Sequence, residues 1–537
     1  MLAAAFFVKA GLHFLVKYGI LKAAPVFRSP RFLSPREAGT AEVFQAEERG
    51  HGKLRLWGGA GKECGSMKKE KKRYGAMGAA RFWLVVWGMG IAGQLCWNME
   101  NQWFNTFVYA KIAGDVNIVT CMVIFSAFVT TISTFVFGTL SDRAGKRKKY
   151  VSIGYILWGI TTIVFGLTEF VRSSLPALGV AFLGFLVVFA DAVMSFFGSM
   201  GCDCGYNAWL NDHTNDANKG QVGAALAAMP IFGTVVGTVV GGALVNIGNP
   251  TVGTVGYDPS LDNYQLLFWA MGLFVIAMGV VSLFLTRDAP GLKPSREGSF
   301  WHQLTAVFRF SELRGNSRNK EMLLACLVSC MFFIPFNFYF VHMGNWMIYD
   351  IGFTAGDMGL VEGISLLFAV LVAVPFIRVI NDDKIPVVSC IAVATNAVGL
   401  LLISALIKDG SCVNTASLFS AKNLPLFLCV FLIGTGYVLI MQTGMVWVRG
   451  LFPEESRGQF EGVRIVFFTL IPMLVGTLIG NAIIKNTPQD RVLSDVYGNP
   501  IDVPQENLFL YAGILVLLTF VPLFFAWREH DRRVKDL

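Results

Sequence analysis

Charge is scarce in this chain: Asp, Glu, Lys and Arg make up 15% of its 537 residues, and histidine occurs six times. Apolar residues reach 54%, with a mean hydropathy of +0.56. A soluble chain of this length has no core large enough for so much apolar surface, whereas lipid can solvate it. The histidines are too scattered for a metal centre. Of ten cysteines, Cys96, Cys121, Cys326, Cys330, Cys390 and Cys429 fall inside apolar runs, where the thiol acts as a small hydrophobe. Cys202 and Cys204 lack the second Cys/His pair of a zinc site, and no disulfide framework is implied. There is no nucleotide-binding loop and no nucleophile–base arrangement, so neither catalysis nor a cofactor is expected. No nucleic-acid partner is expected either: the net charge of +8 is spread among loops between apolar runs.

What is present is a series of greasy segments. Twelve can be drawn, at 82–110, 117–140, 149–171, 176–207, 221–247, 265–286, 322–349, 356–378, 386–407, 424–448, 461–484 and 507–527. Each is close to the ~20 residues a bilayer crossing needs. The longest connection, 287–320, carries Arg287, Lys293, Arg296, Arg309, Arg314, Arg318 and Lys320. It reads as a cytoplasmic linker between a six-helix unit at 67–286 and a second at 321–537. With the N-terminus inside, inner loops from Met67 onward hold about 27 Lys/Arg and outer loops about six. That bias places both termini in the cytoplasm and the chain in the cell (inner) membrane, as a monomer. Met1 to Phe27 is mildly apolar but broken by Lys9, Lys17 and Lys22, and the stretch on to Ser66 is patternless; residues 1–66 read as a disordered extension or a misassigned start, with a targeting segment as the alternative.

The halves echo each other. Span five opens with Asn218-Lys219-Gly220-Gln221, then carries Pro230, Gly233, Gly237, Gly241 and Gly242. Span eleven opens with Ser456-Arg457-Gly458-Gln459, then carries Pro472, Gly476 and Gly480. Small residues four apart let helices approach closely, and internal symmetry is a mark of repeat-built transporters.

One loop stands out: Gly138-Thr139-Leu140-Ser141-Asp142-Arg143-Ala144-Gly145-Lys146-Arg147, between spans two and three. Gly138 and Gly145 permit a close backbone approach and a left-handed turn. Asp142 can cap the next helix or pair with a basic neighbour, while Arg143, Lys146 and Arg147 hold the loop at an anionic leaflet. A charged latch of this kind can steady one conformation; a plain topology anchor is the other reading. The spacing resembles the signature loop of the major facilitator superfamily, with a degraded copy at Asn381-Asp382-Asp383-Lys384. That resemblance implies an all-α membrane fold of two six-helix bundles that rock about a central site. The stretch Cys202 to Thr214 also resembles the end of helix four in glycoside–pentoside–hexuronide:cation symporters, with sucrose:proton symporters as an equal neighbour. There Asp203 would match the cation-site acid. The family's Pro is Gly205 here, its span-two acids fall on Thr130 and Thr134, and its first-helix acid falls near Asn98. Proton coupling, or none, then becomes the expectation in place of sodium.

Polar groups inside hydrocarbon need a reason. At 100° per residue, Gln94, Asn98, Asn101 and Asn105 share one face of span one. Amides both donate and accept, which suits a polar solute; helix–helix bonding is the competing use. Asn337 and Gln442 are their candidate partners in the second half. Glu100 points away from the stripe, toward a partner helix. With Asp191 and Asp203 of span four it is a candidate for ion coupling, against a structural ion pair. Glu362 lies one or two turns into span eight. His342 reads as a satisfied packing histidine, and Glu461 as a partner for Arg464. Gly237-Thr238-Val239-Val240-Gly241-Gly242 resembles the span-five motif of drug:proton antiporters, with Thr238 in place of its Pro.

Together these readings give a secondary transporter of a small polar solute, a sugar or glycoside, coupled to a proton or sodium ion. A drug or metabolite exporter and a non-transporting membrane sensor are the alternatives.

Overall fold

The computed structural model describes residues 78–175, 178–215, 217–254, 256–290, 317–377, 384–408, 417–451, 463–489 and 492–536, with single positions 292, 294, 299, 300 and 412. Twelve helices in this set are long and apolar enough to cross a membrane. In chain order they are α1 (Ala79–Ile112), α2 (Val116–Ala144), α3 (Lys148–Ser174), α4 (Val180–His213), α5 (Lys219–Val245), α6 (Tyr264–Leu285), α7 (Arg318–Asp350), α8 (Ala355–Ala373), α9 (Ile385–Leu406), α10 (Ala421–Gly450), α11 (Val463–Asn486) and α12 (Asn507–Lys535). The expected spans are all present. The extension at 1–66, most of the linker, Glu461, the Ser456–Gln459 stretch and Asn381 to Asp383 lie outside the described residues.

Helix packing shows the repeat. Within the first six helices α1 packs on α5, α2 on α4, and α3 on α4 and α6. Within the last six, α7 packs on α11, α8 on α10, and α9 on α10 and α12. Every pair recurs six helices later, so the molecule is two like bundles. They meet along α2–α11, α5–α8 and α1–α7. Asn481 of α11 donates to Asn117 and Thr120 of α2 at 2.9 and 3.0 Å, near the start of α2. Gly242 of α5 lies against the start of α8, where an added Cβ would stand 2.5 Å from Ala355 O. These contacts clasp the bundles at the end remote from the α2–α3 loop, called the far end below.

Glycine sets the approach of α1 to α5. A Cβ on Gly233 would stand 2.5 Å from Gln94 Cβ, one on Gly237 3.0 Å from Asn98 Cγ, and one on Gly241 2.6 Å from Trp103 Cε2. The glycines are four residues apart throughout, but their partners are four and then five apart. The extra residue is absorbed by a π-helical segment, Met99–Trp103. The second half repeats the contact: Gly476 receives Asn337 and Gly480 receives Phe338. A second π segment of α1, Val108–Ile112, has its counterpart in α7 at Trp346–Asp350. The first does not, since Ser317–Asn345 of α7 is α-helical throughout.

Candidate functional site

At the centre, polar side chains of both bundles meet. Gln102 Nε2 of α1 donates to Glu362 Oε2 of α8. Gln102 Oε1 accepts from Thr238 Oγ1 of α5 at 2.8 Å and from Asn98 Nδ2 at 3.3 Å. Asn98 Nδ2 also reaches Thr238 Oγ1 at 3.3 Å, while Asn98 Oδ1 is buried without a partner. All four residues are buried.

The expected amide stripe is therefore split. The π turn rotates the helix, so Gln102 joins Asn98 and Asn101 does not. Asn101 is exposed and donates to its own helix at Trp97 O, 2.7 Å. Asn105 is buried and donates to Asn101 O at 2.8 Å. Gln94, half-buried, sits one turn from Asn98 on the glycine row. Gln102 follows Asn98 by four residues, a spacing that puts two side chains on one face even of a regular helix, and that spacing is the sequence signal for it.

Glu100 faces away from this set, as expected, into its own bundle. Its Oε1 accepts from Ser126 Oγ of α2 at 2.6 Å and Ser195 Oγ of α4 at 2.7 Å. Its Oε2 is buried without a partner, and so is Asp191 Oδ1. Both Asp191 and Asp203 lie within electrostatic reach of Glu100. Asp203 accepts from Ser199 Oγ at 3.0 Å and faces the charge of Arg464, from the other bundle. Asp203 lies in another π segment, Ser199–Tyr206. Such segments gather at functional positions because they re-aim side chains out of helical register.

The second bundle supplies Asn337, half-buried and bonded to Phe333 O at 2.8 Å, and Gln442, whose buried Oε1 has no partner. Phe336 and Tyr437 stack beside them, 4.7 Å apart and 9° from parallel. His342 is buried as expected but not satisfied: neither ring nitrogen has a partner. A cavity of about 310 Å³ between α3 and α4, lined by Thr161, Val164, Leu186 and Phe189, is apolar and apart from these groups.

The α2–α3 loop is built around Arg147, which is buried. It donates to Asp212 Oδ2 of α4 at 2.9 Å, Asp142 Oδ1 at 2.5 Å and Ser141 Oγ at 2.5 Å. Burial alone would lower its proton affinity, but Asp142 and Asp212 raise it, so it keeps its charge. The cap of α3 is Asp288, which accepts from the backbone N–H of Arg147 and Lys148 at 2.7 and 2.8 Å. Asp142 is exposed and takes the pairing role instead. Gly145 is left-handed, φ 61°, as its place predicts. Gly138 makes no close approach: an added Cβ would meet nothing nearer than Cys204 Sγ at 3.9 Å. Arg143 is half-buried and Lys146 exposed. The cluster ties α2, α3, α4 and the end of α6, all of one bundle.

The family model described as Major Facilitator Superfamily matches residues 87–413 and 325–536. No curated protein matches the chain. Among solved structures, the nucleoside transporter NupG is 12% identical, covering 82% of this chain and 99% of its own, with a TM-score of 0.55. The xylose transporter XylE from E. coli is 13% identical over 83% and 98%, with a TM-score of 0.56. A POT family transporter in complex with 5-aminolevulinic acid is 14% identical over 85% and 98%, with a TM-score of 0.59. At these identities the likeness is one of fold.

Proposed function

Because the chain belongs to the Major Facilitator Superfamily, a family of membrane transporters, we propose that it carries a small polar solute, a sugar or glycoside, by alternating access with a coupled proton. The observation that carries this reading is the Gln102–Glu362 bond, a polar link between the bundles inside the membrane-spanning helices, about two turns from the far end of α8. Polar groups are costly there unless they serve a pathway. Asn98, Gln102, Asn337 and Gln442 offer donors and acceptors from both sides. The Phe336–Tyr437 pair offers the flat apolar face on which a sugar ring stacks. Gln94 extends this amide face by one turn, whereas Asn101 and Asn105 bond back to their own helix and lie off it.

Glu100, Asp191 and Asp203 would handle the ion. Crowded carboxyls relieve their repulsion by holding a proton or a cation. The absent span-two acids favour the proton: Thr134 Oγ1 is spent on Thr130 O of its own helix, at 2.9 Å. On this reading the chain is similar to the glycoside–pentoside–hexuronide or sucrose symporters. The α2–α3 end, with its basic loop, faces the cytoplasm along with both termini. The far end, clasped here, is then the outer gate; the Asp142–Arg147 loop, whose ties here stay within one bundle, is assigned to steadying the opposite state.

The test is uptake of a panel of radiolabelled mono- and disaccharides into proteoliposomes, with and without an inward-acid pH gradient. Accumulation that needs the gradient is the expected result. Proton efflux driven by a lipophilic drug, with no sugar uptake, would overturn it and leave the exporter.

A further inference from the structure

The bundles hold each other at the far end by exchanging helix caps. The first N–H groups of a helix have no partner within it. In α8 two of these are met by the other bundle: Ala355 N donates to Tyr257 Oη at 3.2 Å, and Gly356 N to Asn246 Oδ1 at 2.9 Å. The third, from Asp357, goes to Thr354 Oγ1 beside it, at 3.0 Å. The matching helix of the first bundle is α2. Val116 N donates across to Asp502 Oδ2 at 3.0 Å, and the next N–H, of Asn117, goes to the adjoining Asp115 at 2.9 Å.

The donors' partners also match. Asn246 and Tyr257 lie between α5 and α6, and Asp502 lies six helices on, between α11 and α12. Each is braced in place. Tyr257 donates to Asp262 Oδ2, and Asn249 Nδ2 reaches Asp262 Oδ1 at 2.8 Å. Lys485 Nζ holds Asp502 Oδ2 at 2.6 Å, and Asp502 N donates to Gly114 O at 2.7 Å. Tyr109 Oη donates to Asp502 O at 3.1 Å. Ile501 fills the space above Gly114, where an added Cβ would meet its side chain at 2.6 Å.

We infer that these two connections form a reciprocal latch: the last outer connection of each bundle caps the second helix of the other, and the pair sets how long the far end stays shut. Opening that end uncaps both helices at once. The two caps are on different helices and share no hydrogen-bond partner, so their effects are expected to add. The inference rests on the alternating-access reading.

The test uses the full chain in nanodiscs with spin-label pairs across the bundles. Phe170 and Leu424, both exposed, report the far end; Ile153 and Val446, both exposed, report the α2–α3 end. Tyr257→Phe and Asp502→Ala are compared singly and together. Each is expected to raise the far-end open fraction about fivefold, the size of one lost cap, and the double variant by about the product. Lys485→Gln, which keeps the cap but removes its brace, gives a smaller shift in the same direction. Unchanged far-end distances in the well-folded single and double variants would overturn the latch. Should Asp502→Ala not fold, Tyr257→Phe and Lys485→Gln decide it. If the far end opens in the variants while the other end never narrows, the latch stands and the rocking motion fails.

Discussion

Gln102 links the two bundles side chain to side chain. Its oxygen is held by Thr238 and Asn98, which aims its amino group at Glu362. Truncation to Gln102→Ala strands a buried carboxyl, an omission worth ~1–3 kcal/mol. Transport by this variant is expected to fall at least tenfold. Asn98→Ala should weaken solute binding, while Asp203→Asn should leave exchange intact and abolish proton-driven accumulation. Counterflow and uptake in the same vesicles separate these outcomes, and wild-type behaviour in all three would remove the assignment. Asn98, Glu100, Asp191 and Asp203 were legible because polar residues stand out in greasy runs. Their partners were not. Ser126, Ser195 and Thr238 are ordinary helix residues until the fold points them at a carboxyl or an amide.

At the scale of elements, the helices and the glycine row were readable, since hydropathy and a four-residue period need no tertiary information. The π turn at Met99–Trp103 was not, because nothing in its composition requires it; it follows from fitting α1 onto α5. The loop chemistry was half legible. Gly145 declared its turn, but Asp288, the true cap of α3, lies at the end of α6, far along the chain. The glycine row gives a direct check. Gly233→Val places a branched side chain against Gln94 and should cost ~1–3 kcal/mol by overpacking, seen as a melting temperature several degrees lower. Gly223→Ala in the same helix meets nothing within 4 Å and should not lower it.

At the scale of the whole molecule, the far end carries a pH dependence of its own. Burial pushes the Asp262 carboxyl up to about 6, against the bonds from Tyr257 and Asn249 and the charge of Lys111, while Asp258 adds repulsion. A carboxyl raised in the folded state favours the fold when protonated. That contribution is full below the ordinary carboxylate range and is lost as pH rises through about 6. The melting temperature should therefore carry a contribution that falls between about pH 4 and pH 6.5 and then levels off, read in a thermal scan at each pH. Asp262→Asn should flatten that profile, and an unaltered profile in the variant would assign the effect elsewhere. The two-bundle plan itself was visible in the repeat of spans and linker, whereas which connection crosses to which helix has no sequence signal. The repeat is also imperfect where it matters. One additional backbone residue sits in α1 and not in α7. Two identical walls would grip a cargo equally well either way round. Here the first wall presents amides alone and the second a carboxyl beside its amides, so a passenger would have a head and a tail, and would travel with the same end leading on every trip.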